Sequence, residues 1–275
     1  MTMPSANPNR ALWEKGDFTR IADTMRESGE AFVETLDIRP GLAMLDLGCG
    51  DGTTALPAAR RGAEVLGVDI AANLVAAGTA RARAANLPNL RFQQGDACDL
   101  ENIEDARFEL LVSLFGAMFA PRPQDAAREM VRVVRSGGRI VMGNWIPGDP
   151  TMVAQILKIS AAYTPPPPEG FISPITWGQE EHVISRFTAA GIPQADIGFE
   201  RATWLFRNPG PPADLLDIFR NYYGPTMNAY AAAANEGREA ALHAELLELF
   251  EAQNRGTNGN TEIAATFLKV SVAKA

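Results

Sequence analysis

The chain has 275 residues, 46% hydrophobic and 21% charged, with 24 Gly and 19 Pro. These proportions exclude wholesale disorder, collagen-like repeats and coiled coils, and they suit one elaborated domain or two small ones. Its 25 Lys+Arg against 33 Asp+Glu give a net charge of -8, with no basic run longer than Arg60-Arg61, so a nucleic-acid partner is not expected.

In chain order, apolar spacing predicts a helix over residues 17–36, stopped by Arg39-Pro40-Gly41. Strands are predicted at 42–47, 64–69, 89–94, 108–114 and 138–145. Between them fall helices at 53–61, 71–86, 99–106 and 123–135, the last capped by the Ser136-Gly137-Gly138 turn. Five apolar strands separated by helices imply a parallel sheet covered on both faces. Beyond Trp145 the pattern predicts helices at 151–162 and 179–190, joined by the extended run Pro165-Pro166-Pro167-Pro168 crossing the mouth of a site. Strands at 195–206 and 262–272 flank a helical insert at 212–255 that suits a lid. The division is an N-terminal helical cover (1–40), a Rossmann-like core (41–145), and a stretch (146–275) that completes the sheet and carries lid inserts at 146–194 and 208–258.

The longest uncharged apolar run, residues 110–121, is short of the roughly 20 residues of a membrane helix. No apolar leader opens the sequence, so a cytoplasmic location is expected. Cys49 and Cys98 lack zinc or redox spacing and read as small buried residues, and no metal site is expected.

The segment Leu45-Asp46-Leu47-Gly48-Cys49-Gly50-Asp51-Gly52-Thr53 places a glycine-rich turn after the first strand, where open α/β sheets bind ligands. Such a loop alone also suits dinucleotides. Asp46 and Asp51 within it disfavour a pyrophosphate and favour a cationic ligand such as S-adenosylmethionine, which has a sulfonium and an ammonium and no phosphate. At the next strand tip, Asp69 can accept both hydroxyls of a ribose, a role it would serve for either ligand. At the third, Asp96 can take an adenine amine.

These residues resemble the class I S-adenosylmethionine-dependent methyltransferases. The matching pieces are the loop from Leu45 to Gly52, Gly67-Val68-Asp69-Ile70, Gly95-Asp96-Ala97, and Val134-Arg135-Ser136-Gly137-Gly138-Arg139 before the fifth strand. The likeness is greatest to the small-molecule enzymes of ubiquinone and menaquinone biosynthesis, which usually have Pro where Ser136 stands. The resemblance implies a seven-stranded sheet of order 3-2-1-4-5-7-6 with the seventh strand antiparallel. It also implies that Asp46, Gly48 and Gly50 line the methionine portion, Asp69 and Ile70 the ribose and one adenine face, and Asp96 and Ala97 the adenine amine and edge. Ser113, Leu114 and Phe115 would close over the methionine and begin an acceptor pocket. S-adenosylhomocysteine is the implied product.

Methyl transfer is an in-line displacement that requires positioning more than a dedicated catalytic group. Should the acceptor keep its proton, His182 is the expected general base. Trp13, Trp145, Trp177, Tyr222 and Tyr223 are expected to wall an acceptor pocket for a small apolar or aromatic molecule. The first helix is expected to fold over the cofactor, with Lys15 reaching the methionine carboxylate. Two other readings stand beside this one: a non-catalytic S-adenosylmethionine-binding or interaction module, and a nicotinamide-dependent oxidoreductase. The sequence leaves the oligomeric state open.

Overall fold

Three short helices precede the sheet: α1 (Asn9–Glu14), α2 (Phe18–Asp23) and α3 (Arg26–Glu34). The alternating part follows as β1 (Ala43–Leu47), α4 (Ala55–Arg60), β2 (Glu64–Asp69), α5 (Ala72–Ala84), β3 (Leu90–Gln94), β4 (Phe108–Leu114), α6 (Pro123–Val133) and β5 (Val134–Trp145). The rest comprises α7 (Met152–Ala161), α8 (Glu180–Ala189), β6 (Ile197–Asn208), α9 (Pro212–Tyr222), α10 (Gly224–Asn235), α11 (Glu239–Gln253) and β7 (Thr261–Lys274). The computed structural model describes Asn7 and residues 9–275.

All seven strands form one sheet of order β3-β2-β1-β4-β5-β7-β6, as the resemblance implied. β7 lies between β5 and β6 and is antiparallel to both, while β1 to β5 pair in parallel. The central strands are sealed on both faces: Met44, Leu45, Leu110, Leu111, Val112, Ile140 and Met142 are all buried. Such strands read as continuous apolar runs, which is why β2 and β4 have the bounds their sequences predict. Among the described residues no helix is long and apolar enough to cross a membrane.

Four local expectations are corrected. The predicted helix at 17–36 is broken, because the Thr24 hydroxyl donates back to the Ile21 carbonyl (2.7 Å) and the Thr24 carbonyl accepts from the backbone of Arg207 on β6 (2.8 Å). Residues 99–106 form turns instead of a helix. Their carbonyls go to Arg132, which donates to Leu100 (2.9 Å) and Ile103 (2.8 Å), and Ala106 takes a left-handed φ of 54°. Ser136-Gly137-Gly138 does not cap α6: Val134 is already extended, and the three residues form an irregularity inside β5. The prolines at 165–168 are exposed and line no part of the cleft described below.

Candidate active site

The tips of β1, β2, β3 and β4 meet at one partly open cleft. The backbone leaves β1 by curling toward β2, with Gly48 N and Cys49 N both donating to the Val68 carbonyl (2.7 and 3.1 Å). Gly48 has a φ of +70°, and a Cβ built there falls 2.6 Å from Gly116 Cα, so the loops after β1 and β4 touch backbone to backbone. That approach brings the peptide chain to the cleft wall.

Asp69 holds the loop from the other side. Its Oδ2 accepts from Gly50 N (2.8 Å) and its Oδ1 from Ala71 N (2.9 Å), joining the glycine turn to the start of α5. Burial pushes this carboxyl above its ordinary value, and those backbone donors oppose the shift. Asp96, at the end of the segment after β3, accepts from Cys98 N (2.9 Å) and from the side chain of Asn7 (3.0 Å). Ile70, Ala97 and Leu74 supply apolar lining between these two acids.

The two acids of the glycine loop itself are turned away from the cleft or neutralised. Asp46 lies behind the turn and is absent from the lining; its carboxylate accepts from the Thr54 hydroxyl and the Ala55 backbone at the start of α4. Asp51, 2% exposed, is gripped by Arg26 from α3 and by Arg81 from α5. The predicted contact of Asp46 with a bound methionine is thereby corrected, and the local acidity left for a ligand comes from Asp69 and Asp96. Ser113 is likewise interior: its hydroxyl donates to the Leu47 carbonyl (2.6 Å) and accepts from Ala117 N (3.0 Å), tying the β1 and β4 tips together.

Burial raises the Asp46 carboxyl to about 7, with the neighbouring Asp69 charge adding to it against the Thr54 hydrogen bond. The unfolded carboxyl titrates near 4, so the folded state binds this proton more tightly. The stability it contributes is therefore complete below about pH 4 and lost as pH rises through about 7. Asp46→Asn is expected to flatten that fall: between pH 5.5 and 8, its melting temperature should drop less than that of the wild type.

Adjoining this cleft is a second, small space walled by Trp13, Phe18, Phe115, Phe119, Trp145, Phe206, Phe219 and Tyr223 with Ile21, Met25 and Val153. Trp13, Phe18, Met25, Phe115 and Phe119 line both spaces, so the two abut across these side chains. Phe115 is the hinge between them. It takes a φ of +59°, rare for a bulky residue, and its ring stacks on Trp145 with centroids 3.7 Å apart. Trp13 gathers Phe18, Phe119 and Tyr223 around it.

Of the residues singled out from sequence, Gly48, Gly50, Asp69, Ile70, Asp96, Ala97, Leu114, Phe115 and Trp13 line the cleft, and Trp145 and Tyr223 line the aromatic cavity. Others are placed elsewhere. His182 is exposed on α8. Trp177 is buried behind the sheet against Phe187 and under the Arg186 guanidinium, and Tyr222 is half-buried beneath Arg20. Lys15 donates to the Asn228 side chain (2.8 Å). Asn7, Asn9, Met25, Trp204, Phe206 and Phe219 join the walls without having been foreseen. The alternating pattern of β6 could have pointed to Trp204 and Phe206; nothing local marks Asn7 or Asn9.

The cleft fits S-adenosylmethionine. Its lining holds Asp51, Asp69 and Asp96 and, among the described residues, no Lys, Arg or His, which leaves a pyrophosphate without a countercharge. Residues 45–142 match the family model described as a methyltransferase domain. The uncharacterized protein Rv1403c of Mycobacterium tuberculosis is 35% identical over 246 residues, covering 89% of this chain and 87% of that protein. Nocamycin O-methyltransferase of Saccharothrix syringae is 33% identical over 141 residues, 47% of this chain and 50% of that one. Among solved structures, Haemonchus contortus phosphoethanolamine N-methyltransferase 2, in complex with S-adenosyl-L-methionine, superposes with a TM-score of 0.61 at 16% identity, covering 100% of this chain and 61% of that one. The chain belongs to the class I S-adenosylmethionine-dependent methyltransferases. Within that class it shares a family with the mycobacterial protein along most of both lengths.

Proposed function

We propose that this methyltransferase acts on a small apolar or aromatic acceptor, bound in the aromatic cavity beside the cofactor cleft. The adjacency of the two spaces across Phe115 carries this reading: a molecule seated against Trp145 and Tyr223 abuts the end of the cofactor cleft nearest β4. When bound, the cofactor supplies a methyl group activated by a sulfonium. The chain's own contribution is placement and exclusion of water. Asp69 takes the ribose hydroxyls, Asp96 takes the adenine amine, Gly48 and Gly50 let backbone approach the methionine portion, and Leu114 and Phe115 separate cofactor from acceptor.

The N-terminal helices act as a cover. Asn7, Asn9, Trp13 and Phe18 line the cleft, and the Glu14 carboxylate accepts from Ala72 N (3.1 Å), docking the end of α1 on the start of α5. Phe219 and Tyr223 close the acceptor side as a lid from the 208–258 insert.

Calorimetric titration with S-adenosylmethionine and S-adenosylhomocysteine, with NAD and NADP as controls, tests the cofactor half. A methylation screen of aromatic and lipophilic acceptors tests the rest. Binding of the first two ligands alone is expected; binding without turnover across the screen would favour a non-catalytic module. Asp69→Ala is expected to weaken cofactor binding by about 1.5 to 3 kcal/mol, the scale of hydrogen bonds to a charged group. Affinity within error of wild type would refute the ribose contact.

A further inference from the structure

The titratable side chains lining the two spaces are Cys49, Asp51, Asp69 and Asp96 on the cofactor side and Tyr223 on the acceptor side. The four on the cofactor side line the cofactor cleft and not the acceptor space, and the carboxylates among them already accept from neighbouring donors. Asp51 is held by Arg26 and Arg81, Asp69 by Gly50 N and Ala71 N, and Asp96 by Cys98 N and Asn7. Burial pushes the Cys49 thiol well up, and its Sγ faces the Gly50 carbonyl.

Tyr223 is packed by the rings of Trp13, Phe18 and Phe219, none of which titrates. The nearby cations are engaged elsewhere, Arg20 over Tyr222 and Lys15 on Asn228. Both histidines are remote from the pocket, His182 exposed on α8 and His243 against the Tyr230 hydroxyl (2.9 Å). Residues 1–6 and 8 carry no His, Asp, Glu or Lys. The Tyr223 hydroxyl has no hydrogen-bond partner among the described residues, and burial alone moves it above the ordinary phenol value. It is thus a standing donor in a pocket without a base.

We propose that the acceptor enters this pocket as an anion: an apolar or aromatic molecule whose nucleophile is an acidic oxygen, such as a carboxylate, an acidic enol or an acidic phenol, received by the Tyr223 hydroxyl. This rests on the reading of the aromatic cavity as the acceptor site. The acceptor's proton goes to water before binding. An oxygen lone pair then forms the O–CH3 bond while the methyl–sulfur bond breaks and its electron pair stays on sulfur. The two opposite charges cancel, with no proton left to move. An aromatic, water-poor enclosure favours a step in which charge is extinguished. With no cation in the pocket's own lining, the anion depends on the positive charge of the bound cofactor for its attraction, so cofactor binds first.

The test uses nitrophenols graded in acidity, whose absorbance distinguishes phenolate from phenol. They are titrated into full-length protein loaded with sinefungin, a cationic cofactor analogue without a transferable methyl, or with neutral-sulfur S-adenosylhomocysteine. The bound form is expected to be phenolate, with affinity rising with acidity and about tenfold or more tighter beside sinefungin. Tyr223→Phe keeps the ring packing and is expected to lose about 10- to 100-fold in nitrophenol affinity while retaining cofactor affinity. Phenols bound in the neutral form, no phenol bound to cofactor-loaded protein, equal affinity beside either ligand, or an unaltered Tyr223→Phe would each overturn the proposal. Calorimetry of the cofactor alone separates these failures from that of the parent reading: no cofactor binding at all overturns the parent reading and the proposal with it, whereas normal cofactor binding beside any of these outcomes overturns the proposal.

Discussion

Arg26→Met is expected to lower the unfolding free energy by about 3 kcal/mol, the scale for stripping one partner from a buried ion pair. The Asp51 carboxylate is almost sealed, and Arg26 holds both of its oxygens while also donating to Thr53 (2.6 Å). Burial works to lower the Arg26 guanidinium, and the Asp51 and Asp23 carboxylates more than reverse it. After the substitution Asp51 retains only Arg81, 3.3 Å away, in surroundings that solvate charge poorly. Urea denaturation of the single variants and of Arg26→Met with Asp51→Asn checks the argument. The double variant should regain most of the loss, because the orphaned charge has gone. A single variant as stable as wild type would show that the pair does not hold α3 to the glycine loop.

Gly48→Ala is expected to abolish measurable cofactor binding, a fall of about 100-fold or more, and to cost about 2 to 3 kcal/mol of stability. Two effects combine. The left-handed φ of +70° strains any L side chain, and the added carbon would lie 2.6 Å from Gly116 Cα, where only backbone could yield. Separating the β1 and β4 loops would move the cleft floor and Phe115 together. Gly50→Ala is the control: it shares a positive φ of +55°, but its Cβ meets nothing closer than the Phe18 ring at 3.9 Å. Its stability should fall by only about 1 kcal/mol. Equal losses in the two variants, by calorimetry and thermal melts, would sink the close-approach explanation.

What sequence can show here follows from how far apart the cooperating residues lie. The strands and the tip acids Asp69 and Asp96 were legible because short-range signals mark them: buried apolar runs, breakers, and a carboxylate where a strand ends. The orientation of the acids was not. Asp46 faces inward because a hydroxyl eight residues later meets it, and Asp51 is neutralised by an arginine 25 residues earlier. The same holds for aromatics. Trp145 and Trp177 look equivalent in sequence, yet one joins the cavity through Phe115 and the other is packed under Arg186. The helix expected at 99–106 and not found there has the same origin, since the competitor for its carbonyls, Arg132, belongs to α6.

The placement of β7 between β5 and β6 sets a schedule for the growing polypeptide. On the ribosome, β6 and helices α9 to α11 emerge before the strand that joins them to the sheet, because β6 pairs only with β7. Until residues 261–274 are synthesised, the apolar edge of β5 stays open and β6 has nothing to zip against. The nascent chain therefore carries a sticky half-sheet for the whole time needed to make the insert. Ribosome stalling or early termination in that window should produce aggregation, while a chain whose β7 has left the ribosome has a sheet able to close.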